Sequence, residues 1–102
     1  MFIISSLKII YKKMVKIIDP FIDPLPHLDI HGETSATCVA VINSFIRDNL
    51  KLHKMKIVIV HGKGTGTLRK TSHELLSKNK NVSKYYIDGL NDGQTIVELK
   101  AL

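Results

Sequence analysis

The sequence predicts an α/β protein, an α+β two-layer sandwich with elements in the order β-α-β-α-β-β and a four-stranded mixed sheet. Three observations predict it. The segment "HLDIH" (27–31) alternates apolar and polar residues, as a half-buried strand does. The run "KIVIV" (56–60) is continuously apolar, which is typical of a strand covered on both faces, and a stretch with helical periodicity separates the two. A chain of 102 residues is enough for one domain with a single core.

The first half of the predicted domain is a strand followed by a helix. In "HLDIH" the alternation places Leu28 and Ile30 on one face of the strand and the three polar residues on the other. Thr34 or Ser35 can cap a helix that runs to about Asn49. The buried stripe predicted for this helix consists of Val39, Ile42, Phe45, Ile46 and Leu50.

The second half adds a buried strand, a helix and two final strands. Residues 56–60 form the second strand, and Thr67 begins a helix whose inward residues are predicted to be Leu68, Leu75 and Leu76. "VSKYYI" (82–87) predicts the third strand, in which Tyr85 and Tyr86 point to opposite faces and at least one is expected in the core. The turn residues "DGLNDG" and the strand "TIVEL" (95–99) follow.

Residues 1–26 are predicted to be a basic, apolar tail and a proline-rich linker, with the compact domain at 27–102. Two interpretations of the tail stay open. One is an amphipathic helix that packs on the domain or lies on a membrane surface, with Ile3, Leu7, Ile10 and Met14 at helical spacing. The other is that translation starts at Met14, so that residues 1–13 are not part of the protein.

The tail lacks the features of a membrane or export segment. Its apolar stretches of four residues or fewer are far shorter than the roughly 20 that a membrane helix needs, and no signal-peptide pattern is present. The single cysteine, Cys38, excludes an internal disulfide and is expected to be a small buried residue. We therefore expect a cytoplasmic protein without a membrane span.

The net charge of +6 is spread unevenly. From residue 17 onward, eleven Lys and Arg oppose nine Asp and Glu, so that only +2 remains there. The isoelectric point is therefore weak evidence for nucleic-acid binding, and local clustering has to supply it. We expect His53 to be exposed beside Lys51 and Lys54, and the run from Lys78 to Lys84 to be solvated. The other +4 comes from Lys8, Lys12, Lys13 and Lys16.

A glycine-rich loop follows the second strand and opens the second helix. Because the first two strands are joined by a helical crossover, they are parallel and end at the same sheet edge. His31-Gly32 and His61-Gly62 therefore meet at the edge where open α/β sheets bind ligands. The loop fits neither the Walker nor the Rossmann spacing, but glycines, helix N–H groups and cations suit a phosphate. The predicted phosphate-binding residues are Gly62, Lys63, Gly64, Thr65, Gly66, Thr67 and Arg69.

"LDIHG" (28–32) and "HGKGTGTLR" (61–69) together resemble the small MutS-related (Smr) domain family, here as a stand-alone member over about residues 27–100. The resemblance implies a fold similar to the C-terminal domain of translation initiation factor three, and binding of DNA or RNA with nicking or cleavage in several members. Asp29 and His31 match the first motif of the family. The closing segment has fewer glycines than is usual in the family, keeping Gly93 and Thr95. The second motif is matched by His61, Gly62, Gly64, Gly66 and Arg69.

The candidate catalytic residues are Asp29, His31 and His61. Asp29 can orient the His31 imidazole or hold a divalent cation, and a histidine can deprotonate the attacking hydroxyl. With these residues, the resemblance implies a low-specificity endonuclease that cleaves DNA or RNA with Mg²⁺ or Mn²⁺ and no organic cofactor. The alternative is a non-catalytic module for structured nucleic acid, associated with the ribosome. We further expect a monomer or weak dimer, a surface position for His73, and no zinc site at His27 and His31, which lie roughly 13 Å apart on a strand.

Overall fold

The computed structural model describes residues 25–100. The two interpretations of the tail, and most of the proline-rich linker, fall outside these residues. The order of elements is the predicted one. The six elements are β1 (His27–Asp29), α1 (Ser35–Lys51), β2 (Lys56–Val60), α2 (Thr67–Lys78), β3 (Val82–Asp88) and β4 (Asn91–Leu99).

The sheet is four-stranded and mixed, as predicted, with the spatial order β1-β2-β4-β3. β1 pairs with β2 in parallel, and β4 pairs antiparallel with both β2 and β3. Asp29 lies opposite Val60 in the register. The chain segments that follow these two residues therefore leave the sheet side by side, which places both His-Gly pairs at one edge.

α1 begins at a capping box. The Thr34 side chain accepts a hydrogen bond from the Thr37 N–H, and the Thr37 side chain accepts one from the Thr34 N–H. These two bonds satisfy donors that a helix N-terminus otherwise leaves unpaired. The helix ends at Lys51, two residues beyond the predicted end.

The helices and one sheet face enclose the main core. Two residues of the predicted α1 stripe, Val39 and Phe45, are only half-buried. Cys38 is fully buried, as expected. Asn49 is also buried, and its side-chain amide is satisfied there by donating to the Phe45 carbonyl at 2.9 Å. The buried members of this core are Ile30, Cys38, Ile42, Ile46, Leu50, Ile57, Ile59, Leu76, Val97 and Leu99.

A smaller apolar cluster lies on the other face of the sheet. Val58 and Ile96 are its buried members, and Leu25, Val60 and Tyr86 pack against them. Tyr85, the neighbour of Tyr86, packs against the main core instead. Both tyrosines are half-buried, so each contributes to an apolar cluster on its own side of β3.

The final hairpin is tighter than the sequence suggested. The predicted turn "DGLNDG" is reduced to Gly89 and Leu90, because β4 already begins at Asn91. The Asp88 carboxylate closes the hairpin by accepting from the Leu90 N–H at 2.9 Å and from the Gln94 side-chain amide at 2.7 Å. Asn91 pairs with Asp88 of β3, and the Gly93 carbonyl accepts from the His61 and Gly62 N–H groups, so tertiary pairing holds these polar, turn-forming residues in a strand against their local preference.

Within residues 25–100, no helix is both long enough and apolar enough to cross a membrane.

Candidate functional site

Two His-Gly pairs and the glycine loop line one pocket at the carboxyl ends of β1 and β2. The pocket has a volume of about 250 Å³, smaller than the roughly 300–1,000 Å³ of typical sites for drug-sized ligands. A Cβ on Gly62 would lie 4.0 Å from the His31 Cβ, so the two motifs are in van der Waals range. The size suits a phosphate group better than an organic cofactor. Its lining residues are His31, Gly32, His61, Gly62, Gly64, Thr65, Gly66, Thr67, Leu68 and Arg69.

Asp29 and His31 form a carboxylate–imidazole pair at the mouth of this pocket. Asp29 Oδ1 accepts from the His31 backbone N–H at 3.0 Å and from Nδ1 of the ring at 2.6 Å. Since a carboxylate only accepts, Nδ1 carries the proton and Nε2 is left for a ligand, with no partner among residues 25–100. Both side chains are more than half exposed.

The pair shifts both pKa values in the directions that favour its charged form. The hydrogen bond from the His31 ring, with the backbone bond, lowers the Asp29 pKa. The hydrogen bond to Asp29, followed by its negative charge, raises the His31 pKa above the ordinary value. At neutral pH Asp29 is therefore ionised, and His31 is a stronger base than an isolated imidazole.

The loop uses glycine where the backbone needs it. Gly62 and Gly66 have φ values of 82° and 86°, in the left-handed region that side chains disfavour. Gly66 is the N-cap of α2 and supplies no side-chain cap, while the Thr65 hydroxyl accepts only a long 3.4 Å bond from Thr67 N–H. The first turn of α2 thus keeps N–H groups and the positive end of the helix dipole for an anion.

The two cations of the loop differ in their surroundings. Lys63 Nζ lies 3.3 Å from Asp92 Oδ1, in a pair whose side chains are both about 70% exposed. The Arg69 guanidinium folds back over Gly66, with Nη2 3.2 Å from the point where a Cβ of Gly66 would lie. Arg69 forms no salt bridge in the described part of the chain.

His61 is held quite differently from His31. It is only 5% exposed, and both of its ring nitrogens have protein partners. Nδ1 lies 3.0 Å from the Gly62 carbonyl oxygen, and Nε2 lies 2.8 Å from Oγ1 of Thr95, which is fully buried. Nε2 of His73 lies 2.7 Å from the same hydroxyl. One threonine side chain therefore joins β4, the end of β2 and the middle of α2.

The single hydroxyl proton of Thr95 fixes both ring tautomers. The Gly62 carbonyl only accepts, so Nδ1 of His61 must carry a proton, and Nε2 of a neutral ring then accepts from Thr95. The hydroxyl oxygen in turn accepts from Nε2–H of His73. The partners of His61 are a carbonyl, which accepts, and a hydroxyl, which can donate, so both ring nitrogens of this buried residue are satisfied.

The prediction that His73 lies on the surface is wrong. The residue is half-buried, and its ring stacks edge-on against Tyr85 with centroids 5.0 Å apart. Desolvation lowers the His73 pKa, and the nearby His61 and Arg69 lower it further. Its partner Thr95 is 22 residues away in the chain, and no local pattern signals that contact.

No group of three His, Cys, Asp or Glu side chains converges to hold a metal in the part of the chain described here. Asp29 offers one carboxylate oxygen, Oδ2, because Oδ1 already accepts two hydrogen bonds from His31. Mg²⁺ and similar ions often bind through one or two carboxylates together with water and substrate phosphates. Asp29 Oδ2 fits this mode of binding, in which water and substrate phosphates supply the other ligands. The described residues do not supply a complete coordination shell.

Thr95→Val is expected to disturb the pocket without touching its surface. It leaves Nε2 of His61 without a donor and Nε2–H of His73 without an acceptor, which should lower the free energy of unfolding by about 2 kcal/mol. Thr95→Ser keeps the hydroxyl and should retain most of the stability. Imidazole ¹⁵N NMR of the wild type should show His61 protonated at Nδ1 and His73 at Nε2, and the valine variant should lose this pattern. A wild-type His61 protonated at Nε2 would contradict the assignment.

Comparison with known proteins places these features in a family. The model of the Smr domain family matches residues 28–100. Endonuclease MutS2 from Geobacillus is 38% identical over 76 residues, covering 72% of this chain and 10% of the relative. Endonuclease MutS2 from Agathobacter rectalis is 32% identical over 72 residues, covering 71% and 9%. The chain thus spans about a tenth of the length of these relatives.

Two solved structures have the same fold. The Smr domain of Thermus thermophilus MutS2 superposes with a TM-score of 0.73 at 26% identity, covering 74% of this chain and 99% of that one. YdaL, a stand-alone small MutS-related protein from Escherichia coli, gives 0.69 at 22% identity and covers 72% and 63%. With the family match over residues 28–100 and the relatives above 30% identity, the chain belongs to the Smr domain family.

Proposed function

We propose that this chain binds the phosphate backbone of nucleic acid at the pocket and cleaves a phosphodiester bond there. The observation that carries the proposal is the Asp29–His31 pair, which leaves Nε2 of the exposed His31 available in the same pocket that the uncapped N-terminus of α2 lines. A base and an anion-binding helix end are two of the parts that phosphodiester cleavage needs. The name "endonuclease" of the MutS2 relatives supports the same activity.

The three candidate residues take different roles in this proposal. His31 Nε2 is the proton acceptor, and Asp29 holds the ring and increases its basicity. His61 has both nitrogens occupied by Gly62 and Thr95, so it orients the loop instead of transferring a proton. The loop N–H groups and Arg69 stabilise the charge that builds on the phosphate oxygens.

The cleavage step is a displacement at phosphorus. His31 Nε2 takes a proton from water or from a ribose 2′-hydroxyl, and that oxygen bonds to phosphorus. The bond from phosphorus to the leaving oxygen breaks, and the leaving oxygen takes a proton from solvent. Water as nucleophile would allow both DNA and RNA as substrates, whereas the 2′-hydroxyl would restrict cleavage to RNA.

A divalent ion, Mg²⁺ or Mn²⁺, belongs to the proposal as a charge-neutralising partner of the phosphate. Asp29 Oδ2 is the protein oxygen that would hold it beside the substrate, and water would complete its coordination. No organic cofactor is needed for the displacement.

A second candidate is a non-catalytic module that holds structured nucleic acid, including ribosomal RNA. One observation favours it: only one of the two histidines in the pocket has a ring nitrogen available to a ligand. Phosphate binding needs the loop and its cations but no proton transfer. The experiments below separate the two candidates.

Substitutions in the loop should weaken binding in distinguishable ways. Lys63→Ala and Arg69→Ala should each reduce affinity for all sequences, and the log–log salt slope should fall by about one unit per lost phosphate contact. Gly64→Ala should leave stability unchanged, because φ is not positive there and no atom lies within 4 Å of the added carbon. Its methyl group would project from the phosphate-binding loop, so affinity should fall. Filter-binding titrations that show wild-type affinity for all three variants would exclude this loop as the anion site.

Removing the Asp29 carboxylate should separate cleavage from binding. Asp29→Ala should reduce cleavage by at least about a hundredfold, the scale of a lost acid–base group or its support, while binding holds or tightens because a negative charge is gone. His31→Ala should reduce the cleavage rate by a similar factor. The double variant Asp29→Ala/His31→Ala should cleave little more slowly than either single variant.

Asp92→Ala is the matched control for Asp29→Ala. It also removes an exposed acid beside the loop, where Asp92 pairs with Lys63, but it leaves the His31 ring in place. Labelled RNA and DNA substrates, tested with Mg²⁺, Mn²⁺ or chelator, provide the measurement. Cleavage that survives Asp29→Ala would rule out the mechanism, and binding without wild-type cleavage would favour the second candidate.

The pH dependence should follow His31. Its pKa is raised in the folded protein by Asp29, so the imidazolium and its attraction to phosphate are retained at lower pH and lost as pH rises through that value. Cleavage, which needs neutral Nε2, should rise over the same window. Asp29→Asn should move both transitions to lower pH, toward the ordinary value of about 6.5. An NMR titration of His31 that is unaffected by Asp29→Asn would contradict this coupling.

A further inference from the structure

The positive charges of the described chain are concentrated at the end of the domain opposite the pocket. Of eleven Lys and Arg in residues 25–100, only Lys63, Arg69 and Lys70 lie in the pocket half. The other eight, which we call the basic pole, are Arg47, Lys51, Lys54, Lys56, Lys78, Lys80, Lys84 and Lys100.

The two halves of the domain have opposite net charge. The basic pole shares its half with two acids, Asp48 and Glu98, so that eight positive charges against two negative ones leave +6. In the pocket half, three positive charges face four negative ones and leave −1. The four acids are Asp29, Glu33, Asp88 and Asp92, and Glu74 lies near the middle of α2, between the two halves.

The fold itself brings the basic pole together from distant segments. α1 and α2 both start at the pocket edge and run back across the sheet, so their last residues, Lys51 and Lys78, reach the opposite end. Two backbone hydrogen bonds join the neighbouring segments there. The Leu99 N–H donates to the Met55 carbonyl at 2.8 Å, and the Lys100 N–H donates to the Asn81 carbonyl at 2.7 Å.

The charges of the basic pole are available to a ligand. Seven of its eight side chains are exposed and Lys56 is half-buried, and no salt bridge involves any of them in the described region. A groove of about 500 Å³ opens beside Arg47 and Lys51, with amide side chains on its rim. Its lining residues are Asn43, Ile46, Arg47, Leu50, Lys51, Asn79 and Asn81.

We propose that the basic pole is a second nucleic-acid-binding surface that holds phosphates beyond the one in the pocket. This inference rests on the proposed function, because it concerns the same substrate. A pocket half of net charge −1 does not attract a polyanion over a distance, whereas a cluster of +6 can supply the affinity and the steering that phosphate backbones respond to.

The distance between the two surfaces sets the length of nucleic acid required. β4 runs from Asn91 at the pocket end to Leu99 at the basic pole, and eight steps at about 3.4 Å give about 27 Å. At 3.4 Å per base pair, that span is about eight base pairs. A short oligonucleotide can fill the pocket alone, but only a longer one can also reach the basic pole.

The test compares substrates of two lengths. Lys51→Ala/Lys54→Ala removes two exposed charges, one at the last residue of α1 and one in the turn that follows, away from the pocket and the core, so unchanged melting temperature is expected. For a 24-nucleotide single strand, affinity should fall about tenfold and the log–log salt slope by about 1.4, which is 0.7 for each of two contacts. For a four-nucleotide strand, affinity should be unchanged.

Lys63→Ala/Lys70→Ala is the charge-matched control. It removes two exposed charges from the pocket half, and it should weaken binding of both lengths. If Lys51→Ala/Lys54→Ala instead weakens both lengths equally, total charge is responsible and the proposed surface is refuted. Unchanged affinity for the 24-mer would also refute it and would leave an acidic protein as the partner of the basic pole.

The same data distinguish failure of this inference from failure of the pocket assignment. If the basic-pole variant loses affinity for the 24-mer while the pocket variants lose none for either length, the second surface stands and the pocket function falls. If only the pocket variants lose affinity, the pocket stands and the second surface falls.

Discussion

The arrangement of the pocket depends on one buried hydroxyl group. Thr95 Oγ1 lies 2.8 Å from Nε2 of His61 and 2.7 Å from Nε2 of His73, and it has a single proton to donate. Thr95 donates that proton to His61, so His73 must donate its own N–H to the Thr95 oxygen. These two bonds link β4 to the end of β2 and to the middle of α2. The position of the Gly62 carbonyl is fixed as well, because it accepts a hydrogen bond from the other ring nitrogen of His61. Buried polar networks of this kind stabilise only when every member is satisfied.

The two histidines of the pocket, His61 and His31, therefore have different surroundings. His61 is buried and has partners at both nitrogens, which makes it part of the scaffold that carries the loop. His31 is exposed, is oriented by Asp29 through Nδ1, and keeps Nε2 for a ligand. The fold therefore fixes one imidazole beside the loop and leaves the other with an available ring nitrogen. The proposed proton transfer needs such a nitrogen, and of the two histidines that line the pocket only His31 has one.

The charged residues also differ between the two ends of the domain. The pocket half is net negative although it contains the glycine loop, while the basic pole contains eight of the eleven described cations. An acid beside the phosphate is useful for orienting a base but weakens the attraction for the substrate. On the proposed function, cations at the far end of the sheet would let the domain keep Asp29 at the site and still attract a polyanion.

The sequence by itself determined the order of elements, the mixed sheet and the convergence of the two His-Gly pairs, since these follow from periodicity, glycine positions and the parallel direction of strands joined by a helical crossover. It also predicted the Asp29–His31 contact, but from a shared strand face, whereas β1 ends at Asp29 and the contact forms in the turn where the Asp29 carboxylate accepts from the His31 backbone N–H. Tertiary structure alone decided the burial of His73, the early start of β4 and the bonds from Leu99 and Lys100 to Met55 and Asn81. Each depends on groups far apart in the chain, whose pairing is set by packing and sheet register and leaves no local pattern.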